Sequence, residues 1–435
     1  MSILISIIVT ISSIILGKFL FRKWFNHLSL YAFSWGIFII LFELRLMHYT
    51  PVKGETWVII ISTFVFFLFG IFTLLSVRFY SCGSGNPYIE GAEKNIWLFN
   101  DKGKKVRIFL LVFTIIGFVT ALQQWYILIN KFGSIPAVLV SANLIYRLRV
   151  EGEITGTIPY LNSFSYAAVF LGGLYTAYKG RLTILAILPL LVVILQDMAS
   201  VGRAGIFLAF MEFIITFILF RHFLSYISKE FTIKKINMTF AVLIILTLFV
   251  FSTTFIRISR GSNENYKIST QTLKNLEKSS VISPSIYFYF SSNIAVLSKY
   301  FEKGGENKMF GENTFLPVYN FFSKFDFVEH PSFYPKGYFI PVWTNSATYI
   351  RELHEDFGFW GVFIFPYMLG FVSTLYWFKF YEKNNLIDFI ILVYIFLIIA
   401  FSTFYLITRA AVWVLSLFIL IILFRILKNS EIRKT

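Results

Sequence analysis

The fold class is decided by residues 57–77, which read WVIIISTFVFFLFGIFTLLSV and contain no Asp, Glu, Lys or Arg. The hydrocarbon core of a bilayer is about 30 Å thick, and a helix needs roughly 20 apolar residues to cross it. The run is long enough to do so. It therefore predicts a transmembrane helix, and the rest of the chain repeats the pattern.

The composition of the whole chain agrees with this prediction. Of the 435 residues, 57% are hydrophobic, 20% are aromatic and only 14% are charged, with a mean hydropathy of +0.72. These values exclude a water-soluble enzyme. Charge-free or nearly charge-free runs predict an all-α polytopic membrane protein with about eleven transmembrane helices. The runs lie near 1–17, 28–44, 57–77, 108–129, 160–178, 182–197, 205–220, 237–256, 358–378, 389–407 and 410–424.

The distribution of Lys and Arg predicts the orientation of these helices. With the N-terminus outside, the inside loops and the C-terminal tail hold 21 of the 39 basic residues, whereas the short outside loops hold seven. Cytoplasmic loops carry the excess of positive charge in membrane proteins. The net charge of +16 is therefore mostly a topology signal, and it does not point to nucleic-acid binding.

Several kinds of chemistry are excluded by the residues that the chain lacks. The single cysteine, Cys82, cannot form an intrachain disulfide or a metal cluster. We find no metal-site spacing, P-loop, dinucleotide fingerprint or serine nucleophile motif. The first apolar run starts at Met1 with its positive charges after it, the reverse of a secretory signal peptide, and it predicts an uncleaved helix. No cofactor and no metal are expected.

The predicted organisation has three parts. Residues 1–256 form helices one to eight, interrupted by an outside segment at 130–159 whose mixed composition favours a re-entrant or interfacial hairpin. Residues 257–357 form a large extracytoplasmic loop that caps the outer face. Residues 358–435 form the last three helices and a basic cytoplasmic tail. Structureless loops as long as the second part are rare, so function is expected there.

The end of the large loop is unusually aromatic. One interpretation is interfacial packing, because aromatic rings gather at the headgroup level of membranes. The other is a platform on which sugar rings stack, for which Tyr319, Tyr338 and Trp343 are the candidates. The aromatic residues of this stretch are Phe315, Tyr319, Phe321, Phe322, Phe325, Phe327, Phe333, Tyr334, Tyr338, Phe339 and Trp343.

Arginines at the outer ends of helices form the main set of candidate binding residues. A guanidinium binds phosphate oxygens in a bidentate way, so the set predicts an anionic, phosphate-bearing ligand. The alternative is that each arginine pairs with a carboxylate or reaches the headgroups; Arg351 has Glu355 four residues on. Arg203 and Arg409 have fewer acids near them in sequence and are favoured as ligands. The full set is Arg147, Arg149, Arg203, Arg257, Arg260, Arg351 and Arg409.

A general base is sought among the titratable residues of the segment ELHED. Proton transfer from a hydroxyl needs an acceptor within hydrogen-bond reach, and His354, Glu355 and Asp356 are the candidates. The alternative is a solvated helix start, where acids are favoured. Glu212, alone in the seventh apolar run, is expected to pair with another residue inside the helix bundle.

Four short motifs carry a resemblance to a known family. They are YRLRVEG at 146–152, SVGRAG at 200–205, RISRG at 257–261 and TNSATYIRELHEDFGFWGVFIFPYMLG at 344–370. Together with the helix count and the large outside loop, they resemble the Wzy-type polymerases of O-antigen and capsule repeat units. These proteins are similar in plan to the O-antigen ligases, which share a GT-C type glycosyltransferase fold.

The resemblance implies a fold, an activity and a set of partners. The chain would polymerise undecaprenyl-diphosphate-linked oligosaccharide repeat units at the outer face of the bacterial cytoplasmic membrane, with its N-terminus outside and its C-terminus in the cytoplasm. The partners would be the lipid-linked donor and acceptor, membrane lipid and a chain-length regulator protein. The arginines would hold the diphosphate, and Tyr319, Tyr338 and Trp343 would contact sugar.

One departure from the related ligases affects the assignment of the base. A histidine precedes the re-entry helix in ligases, and this chain has Thr344, Asn345 and Ser346 in the corresponding stretch. This favours a polymerase over a ligase and leaves His354 or a neighbouring acid as the base. The alternative function is a transporter or flippase of polysaccharide or lipid-linked substrate, although no inverted repeat is visible. The sugars, the linkage, the oligomeric state and the choice between O-antigen and capsule stay open.

Overall fold

The computed structural model is mostly helical. The residues that it describes are 3–82, 98, 101, 103–150, 154, 158, 160–227, 243, 247, 250, 254, 266–279, 282–306, 310–331, 336–346 and 348–432. The helices are α1 Ile3–Phe21, α2 His27–Glu43, α3 Gly54–Cys82, α4 Lys104–Phe132, α5 Ile135–Val140, α6 Ala142–Val150, α7 Ser163–Lys179, α8 Ile184–Ser200, α9 Ala204–Ile227, α10 Gln271–Lys278, α11 Pro284–Glu302, α12 Leu316–Phe322, α13 Tyr349–Lys383, α14 Leu386–Phe401 and α15 Ala411–Ile432.

These helices make the chain a membrane-embedded protein. Six of the described helices, α1, α3, α4, α9, α13 and α15, are long and apolar enough to cross a bilayer, and α2, α8 and α14 are shorter apolar helices. Ten of the eleven predicted apolar runs coincide with described helices. The remaining one, at 237–256, falls on residues that are described only at isolated positions, so the count of eleven stays a prediction.

The chain divides into two compact units. The first comprises Met1–Pro87, Asn263–Phe378 and Ile398–Ala410, and the second comprises Tyr88–Ser262, Lys379–Leu397 and Ala411–Thr435. The described residues of the large loop that precede α13, from 266 onward, therefore belong to the same unit as α1, α2 and α3. This division follows spatial contacts and cuts across the three sequential parts that the sequence suggested.

Helices α3 and α13 approach each other closely inside the first unit. A Cβ atom placed on Gly70 would lie 1.9 Å from the carbonyl oxygen of Tyr367, and one placed on Gly370 would lie 2.1 Å from that of Phe67. Only glycine permits such backbone contact, which is a common way for membrane helices to associate. The two glycines thus fix α13 against α3.

Buried polar contacts attach α2 to α13 and to the segment after α14. The hydroxyl groups of Tyr31 and Tyr349 are 2.7 Å apart, and Nε2 of His27 lies 2.9 Å from Oγ1 of Thr374. The indole of Trp35 donates to Oγ of Ser402 at 3.0 Å. Buried polar groups need partners, so these pairs specify how the helices of the first unit fit together.

Helix α13 contains a break that separates its polar start from its apolar body. Gly358 has φ 61° and ψ −152°, a conformation that residues with a side chain rarely adopt. The residues before it carry the titratable side chains of the ELHED segment, and the residues after it form the apolar span. Gly358 therefore sets the direction in which the polar segment leaves the membrane helix.

The second unit is built around α4, α7, α8 and α9, with α15 packed against α7. The amide of Gln196 donates to the carbonyl oxygen of Gly117 and to Oγ of Ser165, both at 2.9 Å. The buried carboxyl of Glu212 accepts from the hydroxyl of Tyr394 at 3.0 Å. The prediction that Glu212 pairs inside the bundle is confirmed.

The segment at 130–159, which the sequence predicts to lie outside, contains two short consecutive helices, α5 and α6. Ser134 caps the first by accepting from the backbone N–H of Ala137, and Ser141 separates it from the second. Ile135 and Val140 are exposed, Val140 by 87%. Exposed apolar side chains on short helices suit an interfacial position; the re-entrant or interfacial placement itself stays a prediction.

The large loop ends in a short hairpin that precedes α13. Its strands are β1 Tyr338–Phe339 and β2 Trp343–Thr344, paired antiparallel with Phe339 opposite Trp343. Tyr338 is buried, whereas Phe339 and Trp343 are exposed. The hairpin therefore turns one aromatic side chain inward and two outward.

Candidate active site

Titratable side chains gather at the start of α13 in the first unit and are almost all buried. We call this group the polar cluster. Burial of so many ionisable groups is expected only where they pair or act. The polar cluster consists of Tyr300, Tyr338, Arg351, Glu352, His354, Glu355, Asp356 and Arg409.

Arg351 lies at the centre of the polar cluster and is fully buried. Its Nε donates to Oε1 of Glu355 at 2.8 Å, as the spacing of four residues predicted. Among the described residues, Nη1 and Nη2 have no hydrogen-bond partner. The guanidinium carbon lies 4.9 Å from the ring centre of Tyr338 and 5.4 Å from that of Tyr300. The two aromatic rings pack against the guanidinium and stabilise its charge. Its terminal nitrogens, Nη1 and Nη2, are left without an acceptor among the described residues.

Arg409 has an acidic partner that is distant in sequence. Its Nη1 forms an ion pair with Oε1 of Glu352, and both side chains are buried. The other oxygen of Glu352 accepts from the backbone N–H of Leu406. Arg409 therefore has an acidic partner in space although few acids lie near it in sequence, and the ion pair gives this arginine a structural role. Its role as a diphosphate ligand stays a prediction.

His354 is held in one orientation by Tyr300. The hydroxyl of Tyr300 donates to the carbonyl oxygen of Glu306 at 2.8 Å and lies 2.7 Å from Nδ1 of His354. A phenol has one proton, so Nδ1 must donate to the Tyr300 oxygen. Nε2 then keeps its lone pair in the neutral imidazole, and it has no hydrogen-bond partner among the described residues. The rings of Phe301 and Phe359 meet the imidazole edge-on at 5.1 and 4.8 Å.

The two phenols of the polar cluster stay protonated at neutral pH. Burial raises the pKa of Tyr300, and the nearby carboxylate of Glu355 raises it further. Burial also raises the pKa of Tyr338, although the positive charge of Arg351 acts against it. Tyr300 is therefore a neutral hydroxyl that can donate one hydrogen bond and accept another.

The two acids proposed as alternative bases already bind other groups. Asp356 accepts four hydrogen bonds, from the backbone N–H and the side-chain amide of Asn313 and from the backbone N–H and the hydroxyl of Thr314. These occupy the acceptor sites of the carboxylate, so Asp356 anchors the loop, and the geometry argues against its role as a base. Glu355 accepts from Arg351 and from Asn313. His354 is the candidate base that the geometry favours.

Of the remaining predicted arginines, the structure describes the side chains of Arg147 and Arg203, and both belong to the second unit. Arg147 is exposed on α6 in the second unit, and nothing is described for the side chain of Arg149. Arg203 is half-buried before α9, where Asp197 accepts from the backbone N–H of Ile206 at 2.7 Å. Arg257 and Arg260 lie outside the described residues. The role of all five as diphosphate ligands stays a prediction.

The three predicted sugar-stacking residues lie in different surroundings. Tyr338 is only 4% exposed, and Arg351 and Lys303 lie over its ring. Its burial argues against stacking on a sugar. Tyr319 donates to the carbonyl oxygen of Phe310, and Trp343 is 64% exposed. Trp343 is the member of the set whose ring is most available to a ligand.

Sequence reasoning missed Tyr300 and Asn313. Both bind residues of ELHED from positions more than 40 residues earlier in the chain. Neither stands out by local pattern, because Tyr300 lies in the last turn of α11 and Asn313 lies in a turn. One signal could have found them: the charged residues of ELHED need hydrogen-bond partners if they are buried. The adjoining loop is the nearest source of such partners.

The described residues contain no group of three or more His, Cys, Asp or Glu that could hold a metal ion. No protein-family model matches the chain, and comparison with curated proteins and with solved structures gives no match either.

Proposed function

We propose that the chain is a membrane-embedded glycosyltransferase that polymerises lipid-diphosphate-linked oligosaccharide repeat units, as Wzy-type polymerases do. In this proposal about eleven helices cross the cytoplasmic membrane in a GT-C type arrangement. The N-terminus and the large loop lie outside, and the C-terminus lies in the cytoplasm. The substrates are the undecaprenyl-diphosphate-linked donor and acceptor.

One observation carries the proposal. Nη1 and Nη2 of Arg351 have no acceptor among the described residues, although the side chain is fully buried. An unsatisfied buried donor needs an explanation, and two parallel donors fit a phosphate group. The ring of Tyr338 covers the guanidinium, so the ligand enters when the hairpin of β1 and β2 lifts. The two exposed aromatic residues of that hairpin, Phe339 and Trp343, would then face the substrate.

The proposed reaction needs a leaving-group site and a proton acceptor. The acceptor hydroxyl oxygen forms a bond to the anomeric carbon of the donor while the bond from that carbon to the diphosphate breaks. The electron pair goes to the diphosphate oxygen, whose negative charge Arg351 stabilises. The hydroxyl proton goes to Nε2 of His354, which the contact with Tyr300 leaves as the acceptor.

Deletion of the gene in the source cell tests the function directly. We expect long surface glycan chains to disappear while a single repeat unit is retained, because polymerisation alone is lost. The measurement is gel analysis of the surface glycan, with the restored gene as control. An unchanged glycan would remove the polymerase, and loss of the single repeat as well would support the transporter alternative.

The proposed orientation is tested with single cysteines. We expect Cys82, the natural cysteine, to react with a thiol reagent only from the cytoplasm, because it follows an apolar run that ends at an inside loop. Lys303→Cys in a chain without Cys82 should react with an impermeant reagent from outside, since Lys303 is exposed in the large loop. The reverse pattern of labelling would invert the topology and move the polar cluster to the cytoplasmic face.

A further inference from the structure

A second candidate site lies in the first unit at the end of α2. The loop from Leu44 to Lys53 encloses a cavity of about 330 Å³, which we call the loop pocket. This volume is at the lower end of the range of small-molecule sites, roughly 300–1,000 Å³. Its lining residues include Phe42, Glu43, Arg45, His48, Tyr49 and Trp57.

Aromatic rings form one part of the wall of the loop pocket. The rings of Phe42 and Tyr49 are nearly parallel, with centres 5.7 Å apart, and Trp57 meets Phe42 edge-on at 6.1 Å. Trp57 is partly exposed, and it lines the cavity. A flat ring with an accessible face matches the C–H face of a pyranose, and the polar edges of such rings bond hydroxyls.

Charged side chains form the rim of the loop pocket. The side chain of Arg45 is 79% exposed, and its Nη2 lies 3.8 Å from Oε2 of Glu43. Arg45 has φ 49°, in the left-handed region that residues with a side chain rarely adopt. Arg45 directly follows the C-cap residue Leu44, a position where helices commonly end in the left-handed conformation. The side chain of Glu43 is only 8% exposed, so the accessible charge at the rim is mainly the positive charge of Arg45.

The loop pocket is attached to the helix that reaches the polar cluster. The hydroxyl of Tyr49 lies 2.7 Å from Oγ of Ser291, and the backbone N–H of Lys53 donates to Oγ of Ser298, both on α11. Tyr300, the partner of His354, is on the same helix. The helical rise places Ser291 about 14 Å from Tyr300 along the axis. A short oligosaccharide can cover that distance.

We propose that the loop pocket binds a saccharide residue that carries a carboxylate, within the oligosaccharide substrate of the transferase. The partly exposed ring of Trp57 stacks on the pyranose, and Arg45 binds the carboxylate. This inference rests on the proposed function and names a feature of the substrate: at least one acidic sugar in the repeat unit.

Binding of two simple glycosides to the purified full-length chain tests the inference. The probes are methyl glucuronide and methyl glucoside, which differ only at C6, where the first has a carboxylate and the second a hydroxymethyl group. Their binding is measured by saturation-transfer NMR without any lipid-linked donor. We expect the glucuronide to bind more tightly. Trp57→Ala should weaken both probes about tenfold, Trp57→Phe should restore much of the binding, and Arg45→Gln should weaken the glucuronide alone about tenfold.

The control is Trp24→Ala, which removes another exposed tryptophan, 60% exposed and near Lys18, from outside the loop pocket. It should leave both probes bound as in the wild type. Absence of binding, equal binding of the two probes, or binding that Trp57→Ala leaves unchanged would overturn the inference. Because no donor is present, these outcomes are independent of the glycan phenotype that tests the polymerase itself.

Discussion

Arg351→Lys is expected to lower the polymerisation rate by about 30- to 1,000-fold while the chain still folds. Lysine keeps a positive charge beside Glu355 but removes the pair of donors, Nη1 and Nη2, that the proposal assigns to the diphosphate. Loss of a donor used in the transition state costs on the order of 2–4 kcal/mol. The measurement is the turnover of lipid-linked repeat units by purified protein, per folded molecule.

The choice of lysine matters because the site is buried. Arg351→Ala would leave the carboxylate of Glu355 without its positively charged partner, which typically costs about 3–5 kcal/mol of folding stability. Loss of activity would then have two explanations. The matched control is Arg221→Lys in the second unit, where a buried guanidinium donates to the carbonyl oxygen of Ala177 at 3.0 Å. Full activity of Arg351→Lys would show that this arginine is structural.

The comparison of Arg351 with Arg409 shows what the sequence could predict at this site. The partner of Arg351, Glu355, is one helical turn away and follows from spacing alone. The partner of Arg409, Glu352, is 57 residues away in the chain. Its contact depends on how α13 meets the segment after α14. Local spacing cannot report such a contact, and it led to the preference for Arg409 over Arg351.

The helices themselves were more predictable than the contacts between them. Charge-free runs such as 57–77 lie within described helices because hydropathy is a local property of the chain. Gly70 and Gly370 each let the backbone of the opposite helix come close. This contact joins two separate apolar runs, so neither run alone predicts it. The break at Gly358 could be predicted only in part. A glycine indicates that the helix can break there, but the direction of the chain after the break depends on the surrounding packing.

His354→Gln is expected to lower the rate by about 100- to 10,000-fold, the range that a positioned general base contributes. Glutamine can still form a hydrogen bond with Tyr300, but it cannot take the proton of the acceptor hydroxyl. In the wild type, activity should fall as the pH is lowered and His354 becomes protonated. The measurement is the pH profile of turnover by the purified chain, and the variant should lose this acidic limb.

A matched control and a second variant separate the chemical role of His354 from a role in packing. His27→Gln changes another buried histidine of the first unit, bonded to Thr374, and turnover per folded molecule should stay near that of the wild type. Tyr300→Phe keeps the ring but removes the hydroxyl that fixes the tautomer of His354. The variant should turn over more slowly than the wild type, because Nε2 is then the proton acceptor in only one of the two tautomers of His354. The loss of activity at low pH should persist, at a shifted pH. If His354→Gln folds and retains full activity, the base is not His354, and the contact with Tyr300 serves only to hold α11 against α13.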